Sequence, residues 1–227
     1  MMNTKHLFFD LDHTLWDFET NSELTFKQIF KEQNIAINFS EFFKIYSPIN
    51  MRYWRLYRDN KISKEELRYK RLRETFDTLA YKISDNLINL IARDYIDYLP
   101  NYNNLLEGTI EVLEYLKLKY KLHIITNGFE EVQKKKLEKS NLLRYFEIIV
   151  TSECVGVKKP NPKVFEHAME RAFASPAESV MIGDSLEADV HGAIQIGMKA
   201  IHLTKEDNNN SSDFLNIKTL KELKKYL

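Results

Sequence analysis

The sequence contains little cysteine, glycine or proline. Among 227 residues there are one cysteine, six glycines and five prolines. The single thiol, Cys154, excludes an internal disulfide and a zinc site built from several cysteines, and it is typical of a protein from a reducing compartment. We expect Cys154 to be a small, packed side chain without a chemical role.

The sequence also lacks an excess of charge of either sign and any long apolar run. Lys plus Arg and Asp plus Glu each number 33, so no overall field attracts a nucleic acid polymer or an anionic membrane. No apolar segment approaches membrane-spanning length, and residues 1–5 lead into the first strand without a secretory leader. We therefore predict a cytoplasmic protein that binds neither nucleic acid polymers nor membranes.

The length indicates a core domain with an addition. A chain of 227 residues, 44% hydrophobic and 29% charged, is longer than one average globular domain and shorter than two. The extra length is found in residues 17–99, which are rich in aromatic and charged residues and contain no glycine. We predict two domains, a core made of residues 1–16 and 100–227 and an inserted helical domain made of residues 17–99.

The inserted segment carries several signals of helix starts and stops. Ser63 and Glu66 have the spacing of a capping box, and Ser84 is a second candidate cap. Pro48 is expected to interrupt a helix that resumes at Met51. These signals predict three or four helices folded as a bundle.

The rest of the chain alternates short apolar strands with helices. The predicted strands cover residues 6–9, 122–125, 147–150, 179–182 and 199–203, and predicted helices include 109–120, 130–140, 163–173, 186–196 and 220–227. Residues 206–213 are predicted to form a solvated loop. Alternation of this kind predicts parallel pairing through right-handed crossovers. The predicted fold class is α/β, with a doubly wound, parallel, Rossmann-like sheet and an inserted helical bundle.

Polar side chains follow the ends of these strands. In open parallel sheets ligands bind outside the carboxyl ends of the strands, so these side chains are expected at one edge. Each has an ordinary structural explanation as a turn, a loop or a helix start, but their order and shared edge indicate a site. The side chains are Asp10, Asp12 and Thr14 after the first strand, Thr126 and Asp184 at two later strand ends, and Lys159 in a loop.

These motifs resemble, in order and across the whole chain, those of the haloacid dehalogenase-like phosphohydrolases. The inserted bundle is similar to the helical cap of that family. His13 departs from the family pattern, in which Asp or Gly is more frequent, but it lies between the functional positions. The matching segments are Asp10-Leu11-Asp12-His13-Thr14, Thr126, Lys159 with Pro160, and Gly183-Asp184 with Asp189.

The residue types also suit the chemistry that the resemblance implies. Phosphoryl transfer requires an in-line nucleophile, compensation of charge on the phosphate oxygens and a proton for the leaving oxygen. Asp10 is the candidate nucleophile, forming an aspartyl-phosphate that water later cleaves. Asp12 is the candidate general acid for the leaving alkoxide and then the general base for water.

The remaining polar residues are candidates for binding a metal ion and the phosphate. Carboxylate and carbonyl oxygens are ligands that Mg²⁺ prefers, and donors near phosphate oxygens stabilise their charge. Lys159 is preferred to Lys158 because it directly precedes Pro160, as in the family motif. The predicted metal ligands are Asp10, Asp184 and Asp12 through its backbone carbonyl, with Asp189 in the outer shell, and the predicted phosphate-binding residues are Thr126, the Asn127 amide and Lys159.

A narrower resemblance concerns the substrate. The segments 14–18, 46–55 and 125–128 look like the pyrimidine 5'-nucleotidase branch, which implies nucleoside monophosphates as small-molecule phosphomonoester substrates. In that case Trp16 or an aromatic side chain of the cap would stack on the base, and Asn50 would hydrogen-bond it. The alternative for Met51, Trp54 and Tyr57, which share a helical spacing, is the core of the bundle.

Other activities of the same family remain open. A sugar-phosphate or phosphoglycolate-type phosphatase, or a phosphomutase, would use the same core. A haloacid dehalogenase has no leaving alkoxide to protonate and typically lacks the carboxylate found at Asp12, and a non-enzymatic phosphoryl-binding module is expected to lose Asp10 or Asp12. The expected enzyme is a monomer or a homodimer.

Overall fold

The computed structural model describes residues 3–206 and 213–227 of the chain. Its described residues form two compact units. The first unit comprises Met1–Phe18 and Asn103–Leu227, and the second comprises Glu19–Tyr102. The boundaries between these units fall a few residues later than the domain boundaries predicted from the sequence. The predicted loop over residues 206–213 lies mostly outside the described residues.

The first unit is built on a six-stranded sheet in which every pairing is parallel. The spatial order is β3-β2-β1-β4-β5-β6, so β1 lies between β2 and β4. This confirms the predicted α/β fold class with its parallel sheet. The strands are β1 His6–Phe9, β2 Lys121–Thr126, β3 Ile148–Thr151, β4 Ser179–Gly183, β5 Lys199–Leu203 and β6 Leu215–Ile217.

Strand register brings the polar strand ends to one level. Phe9 pairs with Ile124 of β2 and with Ile182 of β4. The next residue, Asp10, donates its backbone N–H to the Ile182 carbonyl at 2.9 Å. All four residues of β1 are buried, as expected for a parallel strand covered on both faces. The carboxyl edge of the sheet is therefore fixed by buried apolar strands.

Helices and short helical turns connect these strands. The predicted helix over 186–196 is divided, because residues Leu186–His191 form a π-helical turn before the last α-helix begins. The predicted helix over 109–120 ends early, at Leu116, and the last predicted helix is a 3₁₀ segment, Leu220–Lys225. The α-helices of this unit are α5 Thr109–Leu116, α6 Glu130–Lys139, α7 Ser152–Val155, α8 Pro162–Ala172 and α9 Gly192–Gln195.

The second unit contains four helices, which confirms the predicted helical insertion. Ser63 Oγ accepts a hydrogen bond from the Glu66 N–H at 3.1 Å, and Glu66 Oε2 accepts one from the Ser63 N–H at 2.9 Å. The capping box and the Ser84 cap are thus both present. The helices are α1 Phe18–Glu32, α2 Phe39–Arg58, α3 Lys64–Thr78 and α4 Asp85–Tyr98.

Several local expectations are wrong. Helix α2 runs through Pro48 without a break. The proline removes one N–H donor from the helix, but buried side chains before and after it, such as Tyr46 and Tyr57, stabilise the helix on both sides. Met51 is 62% exposed, so it does not belong to the bundle core, whereas Tyr57 does. Cys154 is exposed rather than packed, and strand β6 has no counterpart in the sequence-based prediction.

No helix within residues 3–206 or 213–227 combines the length and apolarity needed to cross a membrane. The apolar residues of the first unit instead pack around the sheet. Phe8, Ile125, Val150 and Met181 from four neighbouring strands meet Phe165 of α8 in one buried cluster. This packing holds the strand ends in a fixed arrangement.

Two histidines form a buried pair inside the sheet. His6 Nδ1 and His123 Nε2 are 3.0 Å apart, and the rings stack with centroids 5.3 Å apart. Burial, with smaller contributions from the positive charges on His6 and Lys121, lowers the pKa of His123 from 6.5 to about 4. Burial also lowers the pKa of His6. The folded protein therefore favours the neutral form of both rings.

This pair predicts a loss of stability in mild acid. The unfolded chain takes up a proton at His123 below pH 6.5, whereas the folded chain takes it up only near pH 4. The free energy of unfolding is therefore highest above pH 6.5 and falls as the pH decreases from 6.5 to 4. Between pH 7.5 and 4.5 we expect wild type to lose about 2 kcal/mol more of its free energy of unfolding than His123→Phe. Urea denaturation at the two pH values measures this, and equal losses in both proteins would contradict it.

Candidate active site

The loop after β1 presents two carboxylates from a tightly folded backbone. The Leu11 carbonyl accepts hydrogen bonds from the N–H groups of Leu15 and Trp16, each at 2.9 Å. His13 has a φ of 62°, a left-handed conformation that glycine adopts most easily and in which asparagine, aspartate and histidine are enriched among the other residues. The backbone conformation at position 13 is therefore compatible with the histidine found there.

Lys159 lies at the centre of the site. Its Nζ is 2.6 Å from Asp10 Oδ1 and 2.6 Å from Asp189 Oδ1, and it donates to the Ile125 carbonyl at 2.6 Å. Its side chain is 2% exposed. Burial alone would lower the pKa of Lys159, but the Asp10 and Asp189 carboxylates together raise it. The ammonium is therefore charged, with two carboxylate oxygens and one carbonyl oxygen each 2.6 Å from its nitrogen.

Asn127 fixes the loop that carries Lys159. Its Oδ1 accepts from the Lys159 N–H at 2.8 Å, and its Nδ2 donates to the Lys159 carbonyl at 3.0 Å. The side-chain amide of Asn127 is thus engaged by backbone. Phosphate binding by Asn127 stays a prediction. Because its side chain is engaged, the predicted donor is its backbone N–H.

Thr126 ends strand β2 with its hydroxyl held from two sides. Its Oγ1 accepts from Gln133 Nε2 at 2.8 Å and from the Gly128 N–H at 3.1 Å. The residue is buried. Its hydroxyl lies at the same sheet edge as Asp10, where phosphate binding was predicted for it.

Two further carboxylates follow strand β4. Thr14 Oγ1 donates to Asp184 Oδ1 at 3.1 Å and accepts from the Asp184 N–H at 3.1 Å, so it joins the first loop to the fourth motif. Asp189 Oδ2 accepts from the Ser185 N–H at 3.1 Å. The Asp184 carboxylate is thereby oriented by the loop after β1, and the Asp189 carboxylate by its own loop.

Carboxylate oxygens of Asp10, Asp184 and Asp189 lie within 4.8 Å of one another. Burial raises the pKa of Asp10 to about 8 against the attraction of Lys159, and repulsion from the other two carboxylates adds to the rise. Burial and repulsion from Asp189 raise the pKa of Asp184 to about 7. One ammonium does not balance three carboxylates. This donor set of hard oxygen ligands fits a divalent cation such as Mg²⁺.

Asp189, predicted for the outer shell of the metal, lies in the same close cluster as Asp10 and Asp184. Its outer-shell role stays a prediction. The carboxylate of Asp12 has other partners, since Lys136 Nζ is 2.5 Å from its Oδ1 and Gln133 Nε2 is 3.0 Å from its Oδ2. The Asp12 carboxylate is therefore engaged elsewhere, and the metal ligand predicted for Asp12 is its backbone carbonyl.

Sequence reasoning missed Lys136 and Gln133. The helix predicted over residues 130–140 was given no part in the site, yet both side chains, on α6, are buried there. They lie three residues apart, and such residues share one face of a helix. The available signal was their place in the first turns after the Thr126-Asn127-Gly128 motif.

The two predicted base-binding residues are engaged in local contacts. Trp16 is fully buried, with Lys136 Nζ 4.1 Å from its ring centre. Asn50, in the second unit, is buried and its Oδ1 accepts from Arg71 Nη1 at 2.8 Å and from the Tyr46 hydroxyl at 3.3 Å. Contact of either residue with a base stays a prediction.

Comparison with known proteins places these features in context. The family model for haloacid dehalogenase-like hydrolase matches residues 7–203. The pyrimidine 5'-nucleotidase YjjG of Escherichia coli is 32% identical over 85% of this chain and 82% of its own. A glyceraldehyde 3-phosphate phosphatase of Methanothermobacter thermautotrophicus is 31% identical over 89% of this chain and 86% of its own. The structure of the HAD-hydrolase YfnB from Bacillus subtilis, bound to magnesium, has a TM-score of 0.89 with 27% identity and covers 99% of both chains.

Gly183 provides a test of how tightly the site is packed. A Cβ atom at this position would lie 2.2 Å from Asp189 Oδ2 and 2.5 Å from Asp189 Cγ, so we expect Gly183→Ala to lower the free energy of unfolding by about 1 to 3 kcal/mol through overpacking. In the double variant Gly183→Ala/Asp189→Ala the two shortest contacts are removed and only the approach to the Cβ atom of residue 189, at 2.7 Å, remains, so its cost should be smaller than the sum of the single costs. Urea denaturation of the four proteins measures this, and additive costs would show that the close approach has no energetic consequence.

Proposed function

This chain belongs to the haloacid dehalogenase-like hydrolase family, and on that premise we propose that it is a Mg²⁺-dependent phosphomonoester hydrolase that acts through an aspartyl-phosphate. The observation that carries the proposal is the contact of the buried Lys159 ammonium with Asp10 at 2.6 Å. It lies at the carboxyl edge of the sheet, with a second carboxylate, Asp12, two residues along. A candidate nucleophile (Asp10), a fixed cation (Lys159) and a candidate acid (Asp12) therefore lie at the same edge of the sheet.

The proposed reaction has two halves. In the first, a carboxylate oxygen of Asp10 attacks phosphorus, the bond to the leaving oxygen breaks, and Asp12 gives that oxygen a proton. In the second, water attacks the phosphorus of the aspartyl-phosphate and gives a proton to Asp12, while the bond between phosphorus and the Asp10 oxygen breaks. Inorganic phosphate leaves, and both carboxyl groups return to their initial states.

The remaining residues bind charge during both halves. Lys159, the Thr126 hydroxyl and the Asn127 backbone amide would donate to the phosphate oxygens. Asp10, Asp184 and the Asp12 carbonyl would hold Mg²⁺, and Asp189 would act beside them through Lys159. When bound, the cation compensates the negative charge of the phosphate and the carboxylates. The acidic cluster and the magnesium-bound YfnB structure support this assignment.

Pyrimidine nucleoside monophosphates are the proposed substrates. The similarity to YjjG at 32% identity supports this choice, as do the sequence segments 14–18, 46–55 and 125–128. Trp16 and Asn50 are the residues proposed to bind the base, and because both are buried, that role requires their exposure to the substrate. A cytoplasmic location and a monomeric or homodimeric state remain predictions.

A second candidate is a phosphatase for a small sugar phosphate or phosphoglycolate. The similarity to the glyceraldehyde 3-phosphate phosphatase, at 31% identity over a comparable share of the chain, favours it. The same catalytic residues would serve both activities. Only the substrate preference separates them.

A substrate panel tests the function. With Mg²⁺, we expect phosphate release to be fastest from UMP, dUMP or dTMP, and slower from AMP, glucose 6-phosphate, glyceraldehyde 3-phosphate and phosphoglycolate. Asp10→Asn should lower every rate by about a thousandfold or more, and removal of the metal by a chelator should abolish release until Mg²⁺ is restored. A preference for the sugar phosphates would replace the nucleotidase assignment, whereas undiminished activity in Asp10→Asn would exclude the proposed nucleophile.

Two adjacent lysines give a matched pair of variants. Lys159→Ala removes the cation beside Asp10 and Asp189, so we expect kcat/KM to fall by about a hundredfold or more. Lys158→Ala changes a partly exposed neighbour and should leave kcat/KM within about threefold of wild type, since surface substitutions have small effects. Steady-state kinetics on folded variants, checked by circular dichroism, decides the matter. Equal losses in both would reject the special role of Lys159.

A further inference from the structure

A second buried lysine contacts the site through Asp12. The Lys136 side chain is 2% exposed, and its Nζ is 2.5 Å from Asp12 Oδ1. Asp12 itself is 21% exposed, so its carboxylate is buried on one side and open on the other. Lys136 therefore binds the buried side of the Asp12 carboxylate, the group that is proposed to transfer protons.

The surroundings of Lys136 are aromatic. Its Nζ is 4.1 Å from the centre of the Trp16 ring and 5.4 Å from that of Phe18. Trp16 belongs to the loop that begins at Asp10, and Phe18 is the first residue of α1. Taking an ammonium out of water costs several kcal/mol before compensation, and here the ion pair with Asp12 and the ring faces compensate it.

Gln133 binds the other oxygen of the same carboxylate. It lies one helical turn before Lys136 on α6, and its Nε2 is 3.0 Å from Asp12 Oδ2 and 2.8 Å from Thr126 Oγ1. Two donors from one helix face thus hold both oxygens of Asp12. A carboxylate has about four lone-pair sites, so each oxygen retains one for a reacting proton.

We propose that Lys136 and Gln133 are positioning residues that hold the Asp12 carboxylate in the orientation needed to protonate the leaving oxygen. This inference rests on the proposed phosphatase function. In the step concerned, the bond between phosphorus and the leaving oxygen breaks while the proton of Asp12 moves to that oxygen. Lys136 and Gln133 keep their own protons throughout and act only through Asp12, because a misplaced acid transfers its proton poorly.

A simpler role for the pair is to anchor α6 to the loop after β1. An anchor would affect every substrate alike. Loss of a positioning residue lowers kcat/KM most for substrates whose leaving oxygen must be protonated. Phenyl phosphate and p-nitrophenyl phosphate differ only by a nitro group on the ring, but p-nitrophenolate is a much better leaving group and needs little protonation, so this pair of substrates separates the two roles.

The experiment compares kcat/KM for both substrates, with Mg²⁺, in wild type, Lys136→Met and Lys136→Gln. We expect both variants to lose about tenfold to a hundredfold on phenyl phosphate, a part of the usual contribution of a general acid, and less than about threefold on p-nitrophenyl phosphate. Lys135→Met, an exposed position on the same helix, is the matched control and should change neither. Partial misfolding lowers both values by the same factor, so the ratio of the two remains informative.

Equal losses on the two substrates, or no loss on either, would overturn the positioning role while leaving the proposed function intact. Absence of phosphate release by wild type from both substrates and from the nucleotide panel would instead overturn the proposed function, and this inference with it. The selective loss on phenyl phosphate supports both.

Discussion

The structure of the site depends on one buried cation. The Lys159 ammonium, 2% exposed, contacts Asp10, Asp189 and the Ile125 carbonyl, each at 2.6 Å. These partners come from three separate parts of the chain, the loop after β1, strand β2 and the π-helical turn after β4. A buried charge is tolerated only when its hydrogen-bonding capacity is met, so the three segments must converge for Lys159 to be buried at all.

The same cation leaves a charge imbalance that gives the site its chemistry. Asp10, Asp184 and Asp189 together outnumber it, and burial with mutual repulsion raises the pKa of Asp10 and Asp184. A divalent cation would restore the balance and draw in a phosphate group. Asp12 is kept apart from this cluster by Lys136 and Gln133. The two neighbouring carboxylates of one loop thus have distinct environments, as a nucleophile and an acid require.

Much of the core was predictable from the sequence because its signals are local and strong. The strand His6–Phe9 is a continuous apolar run, and the motifs at Asp10, Thr126, Lys159 and Asp184 follow strand ends whose placement depends only on parallel topology. The buried face of α6 was not predictable, since Lys136 lies among exposed lysines and its burial depends on a tertiary ion pair. Pro48 was misjudged because packing on both sides of the proline outweighs one lost hydrogen bond, and β6 is too short to carry a pattern.

The central claim is that phosphoryl transfer passes through Asp10. Peptide mass spectrometry on acid-quenched protein tests it directly, using Asp12→Asn incubated with Mg²⁺ and a hydrolysable nucleoside monophosphate or p-nitrophenyl phosphate. Without a base to activate water, the intermediate should accumulate, and the account predicts a phosphoryl group on the peptide that contains Asp10. Turnover of the phosphate ester by wild type with no modified Asp10 in the variant, or with the phosphoryl group on another residue, would contradict it.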